Sequence, residues 1–378
     1  MNQKEFIGNG ELNRLSEILD LKSDDKVFLV TGKKSFAISG AEKIITEHLK
    51  KNDYTRFSDF EENPKLEDIK KGIQVFKEKS YDLILAVGGG SVIDIAKMIN
   101  IFSFQAETPE AIIRDNSKIK NKGKHLAAIP TTSGAGSEAT YFAVVYKDKE
   151  KFSAAHEFIY PGTVIIDPEL TYSLSPAITA TSGIDALSQA VESYWNVNAT
   201  EKSKTYSAQA IILINENLSK AVNTPDNVSR FNMSLAANLA GKAINITKTT
   251  APHAVSYSMT SYFGIPHGQA VSITLGEFLE FNYGVNENDI AGEKSIGEVR
   301  KTIEQLTGFL GSKDPVGAKL CIKELMRGIG LKTKLSELGI REEKDLKMII
   351  KNVNLERLKN NPRRVSSESL EKILKNIL

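Results

Sequence analysis

Residues 83–97 read LILAVGGGSVIDIAK. An apolar run, Leu83 to Val87, enters three glycines, and apolar residues then resume at helical spacing from Val92. The pattern predicts a buried strand, a tight turn and a helix. Glycines let a backbone approach a phosphate closely, and a helix N-terminus adds unpaired N–H groups and the positive end of its dipole. Gly88, Gly89, Gly90 and Ser91 are therefore candidates for holding a nucleotide phosphate. The spacing is not GxGxxG, and it falls on a later strand than in an ordinary Rossmann unit.

The same alternation extends to both sides. KVFLVTG (26–32) and YTRFSDF (54–60) read as strands, and GAEKIITEHLKK (40–51) and PKLEDIKKGIQVFKEKS (64–80) as amphipathic helices. KHLAAIPTTSGAGSE (124–138) reads as a strand ending in a small-residue loop, followed by FAVVYK (142–147) and TVIIDPEL (163–170). This order predicts a parallel sheet covered by helices. Strand signals become scarce near residue 168. Ser175-Pro176 reads as a helix cap and first helical residue, and the segments after it carry helical periodicity. The expected architecture is an α/β dinucleotide-binding domain over 1–168 and an all-α domain over 169–378.

Bulk composition narrows the function. Basic and acidic residues number 49 and 47 in 378, so no face is marked for nucleic acid. The single cysteine, Cys321, excludes a disulfide framework and a cysteine-built zinc site, and is expected to be a small buried residue on a helix. No apolar run approaches a membrane span, and MNQKEFIGNGELNRL has no signal-peptide core. A cytoplasmic enzyme is expected, with no membrane or nucleic-acid partner.

The loop after residue 130 offers hydroxyls from Thr131, Thr132 and Ser133, with Gly134 and Gly136 for close approach. Two such loops at the carboxyl ends of parallel strands favour a dinucleotide over a lone phosphate. Among only five histidines, His253 and His267 lie close together in HAVSYSMTSYFGIPHGQA (253–270). SGIDALSQAVESYW (182–195) places Asp185 and Gln189 four residues apart, on one helix face. These four could ligate Fe(II) or Zn(II), leaving a position open to substrate.

Together, GGGSVIDIAK, AIPTTSGAGSE, VIIDPEL, TSGIDALSQAVESY, HAVSYSMTSYFGIPHGQA and NPRRVSSESLEKIL resemble the iron-containing (group III) alcohol dehydrogenases along nearly the whole chain. The resemblance implies metal ligands at Asp185, Gln189, His253 and His267, in a cleft between the two domains. The family usually has histidine where this chain has Gln189. Many members carry a second histidine where Tyr257 stands. Gln189 keeps the formal charge of the site but is a harder donor, and Tyr257 could donate a hydrogen bond or relay a proton. The implied reaction is reversible hydride transfer between a nicotinamide and a small aldehyde or alcohol. Asp94, Lys97, Thr131, Thr132 and Ser133 would face the cofactor, and His267 would sit where nicotinamide meets substrate. A homodimer is the family's usual assembly.

Cofactor and substrate choice rest on smaller signals. NAD-preferring members commonly have an aspartate after the threonine that ends the first strand. Here Gly32 stands there, followed by Lys33 and Lys34, which favours NADPH or tolerance of NADH and NADPH alike. NITKTTAPHAVSY (245–257) with DALSQAVESYW is most similar to the phosphonoacetaldehyde reductases of phosphonate biosynthesis. A phosphonate needs a cationic partner. Lys248 is the first candidate, followed by Lys242, Arg363 and Arg364. The competing readings are a dehydrogenase of neutral aldehydes, a sugar-phosphate cyclase, and a non-catalytic nucleotide-binding protein.

Overall fold

The computed structural model describes residues 3–148 and 150–378. The chain divides into two compact units, Met1–Leu174 and Ser175–Leu378. The first is an α/β unit and the second is helical.

In the first unit β1 (Lys4–Ile7), β2 (Val27–Thr31), β3 (Tyr54–Phe57), β4 (Leu83–Gly88), β5 (His125–Pro130) and β8 (Thr163–Ile166) form one sheet, ordered β1-β8-β5-β4-β2-β3. Every pairing in it is parallel. β2 and β4 are buried at every position. Their alternate side chains serve opposite faces, as strand pleating requires. Phe28, Val30, Ile84 and Ala86 enter one apolar cluster, while Val27, Leu29, Leu83, Leu85 and Val87 enter another. Two features are absent from the sequence reading. β1 is a short edge strand without an apolar run, and FAVVYK, as β6 (Phe142–Lys147), pairs antiparallel with β7 (Glu150–Ala155) outside the main sheet.

The strand order positions the candidate site. β3 lies on one side of β2 and β4 on the other. The chain therefore leaves the carboxyl ends of β2 and β4 in opposite directions, opening a crevice of the kind in which open α/β sheets bind ligands. Gly32 and Gly88 stand at that end.

The second unit opens with helix Pro176–Trp195, capped by Ser175 with proline in its first turn. Glu201–Asn223 and Asn227–Thr247 follow, then Ala251–Phe263 and His267–Tyr283. The first of these helices is buried from Gly183 to Trp195. An all-apolar surface would suit that position, yet Asp185, Ser188, Gln189, Glu192 and Ser193 all lie within it. Burying such groups is costly unless each is matched, so this polar stripe marks the helix as the spine of a site. Cys321 lies on helix Pro315–Gly328, half-buried rather than fully enclosed as expected. Among the described residues no helix is long and apolar enough to cross a membrane.

Candidate metal centre

In the helical unit Asp185, His253 and His267 converge. One ligand atom from each lies within 4.8 Å of the others. His253 Nε2 is 3.5 Å and His267 Nε2 3.9 Å from the same oxygen, Asp185 Oδ1. Asp185 and His253 are buried, while 30% of the His267 side chain is exposed. The sequence explains how His267 gets there. A Cβ added to Gly268 would fall 1.8 Å from the Thr181 carbonyl oxygen and 3.2 Å from Asp185 Cβ. Only glycine lets the start of this helix approach the Asp185 helix so closely.

Two neighbours brace the cluster. Gln189 Nε2 donates to Asp185 Oδ2 at 3.1 Å. Tyr257 stacks on His267, with ring centroids 6.0 Å apart and planes 19° apart.

A further residue was not singled out from the sequence. Glu192 is fully buried and shares its two oxygens unequally. Oε1 accepts from Thr250 N at 2.9 Å, Thr250 Oγ1 at 3.0 Å and His253 N at 3.2 Å. Oε2 accepts from His253 Nδ1. Trp195 Nε1 in turn donates to Thr250 Oγ1 at 2.9 Å. The signal was available: residues 185, 189 and 192 fall at i, i+4 and i+7, one stripe of a helix. Burial disfavours a charged His253, but the Glu192 and Asp185 carboxylates outweigh it and raise His253 to about 10.

The donor set suits a divalent metal. Two imidazoles and a carboxylate match the preferences of Fe(II) and Zn(II). Metal-binding histidines characteristically donate their second nitrogen to a carboxylate, as His253 does to Glu192.

In the α/β unit the two small-residue loops touch each other. A Cβ at Gly89 would sit 3.3 Å from Thr132 Oγ1, and one at Gly90 2.7 Å from Ala135 Cβ. Thr131 N donates to Gly88 O at 3.0 Å. Helix Gly90–Phe102 starts there without a side-chain cap, so its first N–H groups are oriented for an anion. Gly89, Gly90, Ser91 and Thr132 are partly exposed, while Thr131 and Ser133 are buried. The expectation that Asp94 and Lys97 face the cofactor needs correction. Both are buried beneath the loops. Asp94 Oδ2 accepts from Val144 N, and its carboxyl is raised by burial, partly offset by Lys97. Lys97 Nζ donates to Ser137 O at 2.5 Å, Thr140 O at 2.7 Å, Phe142 O at 2.9 Å and Thr140 Oγ1 at 3.0 Å. Burial lowers this amine to about 8 against the pull of Asp94 and Glu138.

At the end of β2, Lys33 pairs with Asp59 at 3.3 Å. Arg56, from β3, reaches the same turn and donates to Thr31 Oγ1 and to the carbonyls of Gly32 and Lys33.

Residues 2–168 match the family described as iron-containing alcohol dehydrogenase, and residues 179–378 match the C-terminal part of the same family. The chain belongs to the iron-containing alcohol dehydrogenases. It is an NAD(P)-linked oxidoreductase of the alcohol dehydrogenase and aldehyde reductase class. Phosphonoacetaldehyde reductase of Streptomyces viridochromogenes is 30% identical over 302 residues, 78% of this chain and 75% of that protein. NADPH-dependent butanol dehydrogenase of Clostridium saccharobutylicum is 32% identical over 346 residues, 89% and 86% of the two chains. The crystal structure of sulfoacetaldehyde reductase from Bifidobacterium kashiwanohense in complex with NAD+ superposes with a TM-score of 0.86 at 28% identity, covering 99% of this chain and 96% of that one.

The cations considered for a substrate anion separate clearly. Arg363 is committed to the protein: Nε and Nη2 pair with Asp289, Nη1 donates to Phe281 O, and the guanidinium covers the Phe281 ring. This removes it from the candidates. Lys242 lies 5.9 Å over the Tyr206 ring. Lys248 ends helix Asn227–Thr247 at φ 65°, ψ −174°, a backbone region populated essentially by glycine.

Proposed function

We propose that this iron-containing alcohol dehydrogenase reduces phosphonoacetaldehyde to 2-hydroxyethylphosphonate, with NADPH preferred over NADH. The observation that carries the reductase reading is the convergence of Asp185, His253 and His267 within 4.8 Å. These three would hold one divalent ion, Fe(II) or Zn(II), with Gln189 as the fourth donor. When bound, the ion supplies Lewis acidity toward a carbonyl oxygen and the reduced nicotinamide supplies hydride.

The chain's own residues do the rest. Asp185 sets the charge of the centre, and Glu192 fixes the His253 ring with Nε2 toward it. His267, the most exposed of the three, borders the space where substrate arrives. Tyr257 keeps the His267 ring in place and is assigned to donate a proton at its hydroxyl. Gly88 to Ser91 and Thr131 to Ser133 are assigned to the dinucleotide. The absence of an acid at Gly32, with Lys33 and Arg56 at the same turn, supports acceptance of a 2′-phosphate. The relatives named for phosphonoacetaldehyde and sulfoacetaldehyde support an anionic aldehyde.

The test is oxidation of NADPH and NADH by Fe(II)-loaded protein, with phosphonoacetaldehyde and propionaldehyde compared. A kcat/KM preference of roughly several hundredfold for the phosphonate is expected, the combined size of two charged hydrogen bonds. Equal rates would leave a general aldehyde reductase. Absence of turnover in metal-loaded protein would sink the reductase reading.

A further inference from the structure

A second polar feature lies on a turn that packs against the His253 helix. Arg357, on the short helix Leu355–Leu358, is only 9% exposed. Its Nη1 is shielded from solvent and has no hydrogen-bond partner among the described residues. The carboxylate in its ion pair is Glu356 at 3.6 Å, which is 81% exposed and held in water. A buried guanidinium normally has its N–H groups matched, so this one is shaped for something that arrives.

The position of Arg357 ties it to His253. Asn360 Nδ2 donates to Thr249 O at 2.9 Å, and Asn354 N to Ala254 O at 3.3 Å. The Arg357 turn is thereby held against the segment that leads from Lys248 into the His253 helix. Thr250, in the same segment, hydrogen-bonds the Glu192 that holds His253. Lys248 stands at the head of this segment with a strained backbone fixed by Asn196 Nδ2 and Thr247 Oγ1, both bonding its carbonyl. The two cations are near enough for Arg357 to depress the Lys248 amine further after burial has lowered it to about 8. Two half-buried or buried cations that feel each other's charge repel, and an anion between them would relieve that repulsion.

We infer that Lys248 and Arg357 together form a subsite for a tetrahedral oxyanion carried on the aldehyde, a phosphonate or a sulfonate. Arg357 offers a planar fork that matches two oxygens, and Lys248 a point charge. A neutral aldehyde leaves Arg357 Nη1 unmatched, so the site selects against it as well as for the anion. This rests on the aldehyde-reductase reading and names the group by which its substrate is recognised.

The experiment measures inhibition of propionaldehyde reduction by ethylphosphonate and by ethanesulfonate, in metal-loaded wild type and in Arg357→Met. Methionine keeps the apolar stem of the side chain without its charge, and far-ultraviolet circular dichroism confirms the fold. The inhibition constant of the preferred anion should rise at least about 30-fold in Arg357→Met, the loss expected for one charged hydrogen-bonding group. The ratio of kcat/KM for the anionic over the neutral aldehyde should fall by a similar factor. Arg357→Lys should recover part of both. Tighter ethylphosphonate assigns the group to phosphonates and tighter ethanesulfonate to sulfonates. An unchanged inhibition constant in Arg357→Met overturns the subsite, as does a wild type that binds neither anion. If wild type reduces no aldehyde but either anion raises its melting temperature and Arg357→Met abolishes that shift, the subsite stands and the reductase reading fails.

Discussion

Glu192 Oε2 accepts a hydrogen bond from His253 Nδ1, while its Oε1 is filled by three donors, Thr250 N, Thr250 Oγ1 and His253 N. An ionised carboxylate only accepts, so Nδ1 carries the proton in this contact and, in the neutral ring, Nε2 is left with a lone pair. That nitrogen is the one 3.5 Å from Asp185 Oδ1. Glu192 thus selects the tautomer able to bind metal.

Glu192→Gln should separate holding from tautomer selection. The new amide oxygen can keep the three donors of Oε1, while its N–H₂ faces Nδ1 and forces the ring proton onto Nε2. Metal affinity should fall about 10- to 100-fold, as for other lost carboxylate partners of ligand histidines, and the metal-free protein should also lose stability near neutral pH, because the buried charged His253 loses its main counter-ion. Chelator competition measures the affinity, and 15N chemical shifts of the histidine report the tautomer. Wild-type affinity alongside a switched tautomer would contradict this account.

Gly268→Ala tests the close approach of the two helices. Its methyl would collide with the Thr181 carbonyl, so the start of the helix must retreat and carry His267 with it. Such overpacking costs about 1–3 kcal/mol, readable in urea unfolding. The loss of activity should be larger, about 100-fold for a displacement near 1 Å. A stable variant with unaltered kcat and metal content would show that His267 tolerates the movement.

Lys248 gives a pH dependence whose sign is fixed. Burial, then the Arg357 charge, lowers its amine to about 8. The amine is charged below that value and neutral above it. Selectivity for sulfoacetaldehyde over propionaldehyde, as a ratio of kcat/KM values, should therefore decline as pH rises through about 8. The sulfonate keeps its charge throughout, and the ratio cancels ionisations common to both substrates. In Arg357→Met the midpoint should move upward, because one depressing influence is gone. A ratio constant between roughly pH 6.5 and 9.5 would exclude Lys248 from anion recognition.

Lys97→Met removes a cation with four acceptors around it. Losing this buried cation and its attraction to Asp94 should cost about 3–5 kcal/mol. The Thr131–Thr140 loop should loosen, and the Kd for NADPH, followed by fluorescence, should rise. Full stability with normal cofactor affinity would mean that the loop is held by its other contacts.

The parts of the fold legible in the sequence are those with strong local signals. β2 and β4 are continuous apolar runs bounded by glycine, and the Ser175-Pro176 cap starts its helix as read. β1 is four residues, two charged and two apolar, too short to stand out, and its place in the sheet comes from pairing with β8, more than 150 residues away. The metal candidates were legible because histidine is rare and 185 and 189 share a face. Glu192 was passed over because an acid seven residues along a helix reads as solvated until burial is known. Arg357 was invisible for the same reason: only tertiary packing shows which few of 49 basic residues are enclosed.

The contacts of Gly89 with Thr132 and of Gly90 with Ala135 bear on how this protein can be re-engineered. Each loop is the mould in which the other is cast, with less than a methyl group to spare. Grafting one of them from a relative would import a shape whose counterpart stayed behind. Exchange of these segments with a relative's should therefore preserve folding and dinucleotide binding when residues 88–91 and 131–137 travel as a pair, and fail when either is moved alone.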